Sequence, residues 1–264
     1  MDYQVLIKKL FPVIREAANK IMEIYEDDFE VDYKDDSSPL TRADEEANSI
    51  IVDFLHKTWP EHAVLSEEVK DDFSRLGQKW CWIVDPLDGT KEFVKRNGEF
   101  TVNIALSKNQ KSILGMIYVP VTGELYYAFD QGGAFYQPAP EKKFQQIEVS
   151  DRIESLCLVM SRSHASDKLQ ALIDENKKFI KDSKQAGSSL KGCLVARGEA
   201  DIYYRFNPTM EWDTAALQII VEDAGGIVEQ LDGTPLLYNR KDSLNAKGFY
   251  VLNKRENNFL KGLR

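Results

Sequence analysis

The sequence predicts a two-lobed protein, α+β in its first half and α/β in its second. Three observations carry that expectation. Two amphipathic helical patterns open the chain, short β-rich runs split by tight turns follow, and strand and helix patterns alternate after about residue 150. Helices beside an antiparallel meander make an α+β unit, whereas alternating strands and helices make a mostly parallel sheet covered on both faces. Lobes are expected over 1–148 and 149–264. At 264 residues, 43% hydrophobic and 29% charged, the chain is long and apolar enough to bury a substantial core.

In the first lobe, Leu6, Leu10, Val13, Ile14, Ala17, Ile21 and Ile24 recur at three- and four-residue steps and predict a helix over 3–25. Residues 26–39 carry Asp27, Asp28, Glu30, Asp32, Asp35 and Asp36 and read as a strand edge and a solvated loop. Thr41-Arg42-Ala43-Asp44 sets a hydroxyl three residues before an acid, the pattern of a capped helix start. Ala43, Ala47, Ile50, Ile51, Phe54 and Leu55 supply that helix with an apolar face. Ala63–Ser66 is a short strand ending at Glu67-Glu68. Trp80–Asp85 is an apolar, aromatic-rich run that reads as a buried strand ending in a carboxylate and stopped by Pro86. Runs at 100–107, 112–120, 123–130 and 133–137 form the meander, and polar 137–146 leads to the boundary. The second lobe begins with a strand over 155–161, continues with a helix from about Ser166, and ends on a strand over 249–252 and a short helix.

Composition excludes several classes. A net charge of −9 argues against binding a nucleic-acid polymer. Cys81, Cys157 and Cys193 are far apart, so neither a disulfide framework nor a Cys-x-x-Cys metal site is expected, and buried free thiols are. No secretory h-region and no apolar run of transmembrane length is present, which predicts a cytoplasmic protein and leaves room for peripheral contact with the inner membrane. The three histidines, His56, His62 and His164, have no triad spacing.

The chemistry concentrates in Asp85-Pro86-Leu87-Asp88-Gly89-Thr90. Two carboxylates on a turn at a strand end suit a hard cation such as Mg²⁺, which takes oxygen ligands. Gly89 permits a tight backbone. If Gly89, Thr90 and Lys91 open a helix, their amides are placed to receive a phosphate. Read without further context, an Asp-Pro, Asp-Gly turn and a Trp-Asp at a helix start are also ordinary local structure.

The string Asp85 to Thr90 resembles the signature of the inositol monophosphatase superfamily, whose members are metal-dependent, lithium-sensitive phosphatases. Its extension Lys91-Glu92-Phe93 is similar to that of bacterial 3′(2′),5′-bisphosphate nucleotidases within the superfamily. The resemblance covers nearly the whole chain and implies a layered αβαβα sandwich. It implies that two or three Mg²⁺ ions are held by Glu67, Asp85, the Leu87 carbonyl, Asp88 and Asp213, the last in a Trp-Asp-x-Ala motif at Trp212–Ala215, with Glu68 a weaker candidate behind them. Thr90 and Asp44 would activate water for in-line attack on the phosphoryl group. Substrate contacts implied are Glu67, Leu87, Asp88, Gly89, Thr90 and Asp213 at the scissile phosphate, and Ser161, His164, Gly187, Lys191 and Arg205 at the nucleotide. The expected reaction is hydrolysis of adenosine 3′,5′-bisphosphate, or of its sulfated form, in sulfur assimilation, by a monomer or homodimer. Two alternatives remain: an inositol or sugar monophosphatase, which usually carries Thr-Asn-Phe in place of Lys91-Glu92-Phe93, and a non-catalytic cation-binding scaffold protein.

Overall fold

The computed structural model describes residues 2–26, 31–33, 39–162 and 166–262. Helix α1 (Tyr3–Glu26) is followed by the paired strands β1 (Val31–Tyr33) and β2 (Pro39–Thr41), then by α2 (Arg42–Thr58). Strand β3 (Ala63–Ser66), β4 (Trp80–Asp88), the short helix α3 (Thr90–Val94), β5 (Thr101–Lys108), β6 (Lys111–Val119), β7 (Glu124–Phe129), β8 (Ala134–Gln137) and β9 (Gln145–Ile147) come next. These seven strands form one sheet in chain order, antiparallel except for the parallel β3–β4 edge. The acidic stretch therefore contributes the β1–β2 pair, with Asp32 opposite Leu40. Its other acids, Asp27, Asp28, Glu30, Asp35 and Asp36, lie outside the described residues.

A second sheet holds β10 (Leu156–Ser161), β11 (Ile180–Ala186), β12 (Ile202–Arg205), β14 (Ile227–Gln230) and β16 (Phe249–Leu252) in the order β11-β10-β12-β16-β14. Helices α4 (Asp167–Asn176), α5 (Leu190–Ala196) and α6 (Glu211–Asp223) lie between these strands in sequence, and β13 (Thr209–Met210) pairs with β15 (Leu244–Asn245). The expected mostly parallel sheet is present in four of the five strands, and β16 is the exception. β10 pairs parallel with β11 and β12, but β16 pairs antiparallel with both β12 and β14. The crossover through α6 does leave β12 and β14 running the same way. The last strand then returns through the long loop after Gln230 and inserts between them.

The layers follow from which face each strand residue uses. Trp82 and Val84 pack with α1 and α2, while their neighbours Cys81 and Ile83 pack on the other face with α5 and α6. A strand covered on both faces reads as an unbroken apolar run, as Trp80–Val84 does. In the second sheet, Cys157 and Val159 face α5 and α6, and Leu158 faces Leu169 and Leu172 of α4. The order is helix pair, sheet, helix pair, sheet, helix: an αβαβα sandwich.

Helix α6 is the inner layer's main element, with buried residues all around it from Thr214 to Val221. It lies so close to the first sheet that a Cβ on Gly115 would sit 2.5 Å from Ile219 Cγ2 and 2.6 Å from the Ala216 carbonyl oxygen. The backbone of α6 cannot withdraw without opening the packing on its other side. Gly115→Ala is therefore expected to destabilise the protein by about 1–3 kcal/mol, the cost of overpacking a filled core, and to lower Tm by several degrees. An unchanged thermal melt would show that α6 shifts freely on the sheet.

Candidate active site

Strand β4 was expected to stop at Asp85, and it does not. Pro86 lacks an N–H for the ladder, so the register slips between Asp85 and Asp88, and pairing then resumes. Asp85 stands opposite Asn103 and Asp88 opposite Thr101. Within the bulge the Leu87 N–H donates to Asp85 Oδ1 at 3.1 Å, which gives a backbone donor and a buried carboxylate each a partner. Gly89 then turns the chain at φ 93°, in the left-handed region, and α3 opens at Thr90. A Cβ on Gly89 would come within 3.2 Å of Ser188 Cβ and 3.3 Å of Glu92 Oε2. The Thr90 hydroxyl donates to the Leu87 carbonyl at 3.4 Å.

Two more elements converge here. Asp213 lies in the first turn of α6, where its carboxylate accepts the Met210 N–H at 2.6 Å. Glu67 follows β3, and its N–H donates to the Val84 carbonyl at 3.2 Å, so the parallel β3–β4 pairing brings it beside the end of β4. Carboxylate oxygens of Asp85, Asp88 and Asp213 all lie within 4.8 Å of one another. Burial, and then the charges of Glu67, Asp88, Asp213 and Asp44, push the Asp85 carboxyl well above the usual carboxylate range. Burial, followed by the charge of Asp88, pushes Asp213 up to about 7. Like charges crowded together create a strong demand for a counter-charge, and an all-oxygen donor set suits a hard divalent cation.

The cluster opens into a cleft of about 340 Å³. Of the residues singled out from the sequence, Glu67, Asp88, Gly89, Thr90 and Asp213 line one part of it, and Ser161, Lys191 and Arg205 another. Lys191 is only 6% exposed; its Nζ donates to the Ser188 carbonyl at 2.5 Å and sits 5.6 Å from the centre of the Tyr203 ring. Burial pulls its ammonium below the usual lysine range. Asp44, Asp85 and Leu87 are buried behind the cleft wall. Glu68 is outside the lining, and so is Gly187, which serves packing: a Cβ there would meet the Glu99 carbonyl at 2.6 Å and Glu92 Cγ at 2.8 Å. His164 lies outside the described residues.

Other nucleophiles are accounted for. His56 is exposed on α2, and His62 is buried in a stack with Trp59 and Trp80. Cys81, Cys157 and Cys193 are buried free thiols, with burial pushing Cys81 up to about 12. What sequence reasoning missed is the polar support of Asp88 by Thr101, Asn103 and Ser189. A signal was present in Thr101 and Asn103, two polar residues two apart in a strand otherwise apolar through Leu106.

The profile of the inositol monophosphatase family matches residues 2–260. The 3′(2′),5′-bisphosphate nucleotidase CysQ of Escherichia coli strain K12 is 42% identical over 250 residues, covering 93% of this chain and 99% of that protein. The protein of the same name from Salmonella typhimurium is 41% identical over 250 residues, with the same coverage of 93% and 99%. Among solved structures, CysQ from Bacteroides thetaiotaomicron superposes with a TM-score of 0.84 at 42% identity, covering 96% of this chain and 99% of that one. The extragenic suppressor protein suhB from Bartonella henselae superposes with a TM-score of 0.81 at 25% identity, covering 98% of each chain.

The crowded carboxylates make a stability prediction. Asp213 holds its proton up to about pH 7 in the folded chain, against a usual value of 3.8. The folded state thus binds more protons than the unfolded one across that window. Its stability falls as pH rises through the window when no cation is present. Asp213→Asn keeps the acceptor for Met210 and removes the charge. In EDTA the variant should melt higher than the parent protein, by a margin that widens from about pH 4 to pH 7, and Mg²⁺ should raise the parent's Tm more than the variant's. A variant that melts lower at every pH in EDTA would contradict the charge argument.

Proposed function

The chain belongs to the inositol monophosphatase family, and from that premise we propose that it is a Mg²⁺-dependent 3′(2′),5′-bisphosphate nucleotidase. It hydrolyses adenosine 3′,5′-bisphosphate, or its sulfated form, to release phosphate, and serves sulfur assimilation. The observation that carries this reading is that one cleft holds both a cluster of carboxylates and three cations, Lys91, Lys191 and Arg205, of which Lys191 is buried. A carboxylate cluster with its ions serves the scissile phosphate of any substrate of this family. A buried lysine beside it, held by the Ser188 carbonyl, is placed to meet a second anionic group on the substrate. Lys91-Glu92 in place of Thr-Asn, and the identity to the two nucleotidases, favour the same reading over a monophosphatase.

Glu67, Asp85, the Leu87 carbonyl, Asp88 and Asp213 would hold the Mg²⁺ ions. Two or three such ions, when bound, offset the carboxylate charge and neutralise the phosphate oxygens. The chain's own groups do the rest. Thr90 orients the attacking water through its hydroxyl, and Asp44, buried beside Asp85, accepts the proton passed on through Thr90. The first amides of α3 donate to the scissile phosphate. Lys191 and Arg205 take the second phosphate, and Ser161, at the end of β10, borders the nucleoside, with His164 added from the sequence resemblance alone. Gly187 allows the close packing on which the Ser188-Ser189 turn rests.

Thr90→Ala and Asp44→Asn should each lower kcat, and the double variant should be little worse than the poorer single one, because the pair works as a unit. Additive losses in kcat would make Asp44 a helix-start acid and nothing more.

Phosphate release from a substrate panel, with and without Mg²⁺, tests the assignment. Adenosine 3′,5′-bisphosphate should be preferred to adenosine 3′-monophosphate and to inositol 1-phosphate, and none should be cleaved without a divalent cation. Lys191→Met keeps the stem against Tyr203 and removes the charge. Losing a hydrogen bond to a charged group costs about 1.5–3 kcal/mol, so kcat/KM for the bisphosphate should fall roughly ten- to a hundredfold. Hydrolysis of the two monophosphates should barely change. A preference of the parent protein for inositol 1-phosphate would overturn the nucleotidase reading.

A further inference from the structure

The bulge in β4 sets Asp85 and Asp88 opposite Asn103 and Thr101 of β5, two positions that alternate onto the same face of a strand otherwise apolar through Leu106. Thr101 is 0% and Asn103 1% exposed. From the other sheet's side, the turn before α5 brings Ser188 and Ser189 against them. Ser189 Oγ lies 2.8 Å from Asp88 Oδ2, and Asn103 Nδ2 lies 3.3 Å from the same oxygen and 3.0 Å from Ser189 Oγ. Thr101 Oγ1 is 2.9 Å from Asn103 Oδ1, 2.9 Å from Ser188 Oγ and 3.5 Å from Asp88 Oδ2.

The carboxylate at the end of this chain decides where every proton sits. The Ser189 hydroxyl donates to Asp88 Oδ2, and the Asn103 amide turns its NH₂ toward both oxygens. The Asn103 oxygen is then left for the Thr101 hydroxyl, and Thr101 in turn accepts from Ser188. Four side chains thus form one directed relay whose donors all point toward Asp88 Oδ2, and such chains polarise one another. Oδ1 receives none of these bonds. Ser188 holds φ at 42°, strained for a residue with a side chain, and its carbonyl also carries the Lys191 ammonium.

We propose that Ser189 and Asn103 are positioning residues, which lock the Asp88 carboxylate so that Oδ1 is presented to the divalent cation. The proposal rests on the reading of the cleft as a metal-dependent phosphatase site. Carboxylates that ligate metals are commonly held by such outer hydrogen bonds, and losing one typically costs ten- to a hundredfold in metal affinity or activity.

Mg²⁺ titrated calorimetrically into the full-length protein without nucleotide is the direct test. Ser189→Ala should bind Mg²⁺ roughly tenfold more weakly, with its melt in EDTA close to the parent's, and Ser189→Thr, which keeps the hydroxyl, should restore the affinity. Asn103→Leu should weaken Mg²⁺ in the same direction. Unchanged Mg²⁺ affinity in Ser189→Ala would overturn the proposal. In activity, Ser189→Ala should lower turnover of adenosine 3′,5′-bisphosphate and of adenosine 3′-monophosphate by one common factor, whereas Lys191→Met changes their ratio. A changed ratio at unchanged Mg²⁺ affinity would make Ser189 a recognition residue and overturn the proposal. If the parent cleaved neither nucleotide while Ser189→Ala still weakened Mg²⁺ binding, the substrate assignment would fail and the positioning role would stand.

Discussion

Mutual repulsion among crowded carboxylates is the constraint around which this protein is built. Asp85, Asp88 and Asp213 bring oxygens within 4.8 Å of one another, and Glu67 adds its charge to the field at Asp85. Left to relax, such groups would separate and draw in water. They are held because each is fixed by structure that cannot yield locally. The β4 bulge holds two of them, the first turn of a buried helix holds the third, and a parallel strand end holds Glu67.

A second ring of interactions braces this arrangement. Glu211, the first residue of α6, is 0% exposed and accepts the N–H groups of Asn239 at 2.5 Å and Arg240 at 3.0 Å, and the Arg240 guanidinium at 3.1 Å. Arg75, 3% exposed, donates to Asn239 Oδ1 at 2.8 Å and the Arg240 carbonyl at 2.9 Å, and pairs with Asp71 at 2.7 Å. The segment after Glu67 and the start of α6 are thereby tied through one buried guanidinium. A buried charge network of this kind is expensive to break because any partner left behind is uncompensated. It therefore transmits rigidity from the core to the two flanks of the cluster.

The cleft also depends on how closely the two sheets approach. Helices α5 and α6 occupy the layer between them and fit because Gly115 and Gly192 leave room for Ala216, Ile219 and Leu217. Near the cleft, Arg162, just after β10, forms a two-pronged ion pair with Glu99, whose backbone also abuts Gly187. At the opposite ends of β10 and β12, away from the cleft, Asp201 gathers Ser150, Arg152 and the Cys157 N–H, which fastens the connection between β9 and β10. The Arg162–Glu99 pair joins the segment after β10 to the segment before β5, beside the cleft that holds the carboxylates and Lys191.

Local pattern alone determined most of the elements and the acids. Helical periodicity places α1 and α2, the apolar runs place β3 to β8, and an Asp-Pro-x-Asp-Gly-Thr string marks Asp85 and Asp88, because each of those residue types is chemically committed. Only the tertiary structure decided the rest. Periodicity says nothing about which strand returns to pair with which, so the insertion of β16 between β12 and β14 was hidden. A proline reads locally as a stop, yet in the sheet it became a bulge because β5 offered Thr101 to resume the ladder. Ser189 and Asn103 are ordinary residues in their own segments, 86 positions apart, and gain a role only when folding sets both against Asp88. Hydroxyls and amides acquire function from the partners that burial forces on them, and those partners are fixed by contacts distant in sequence.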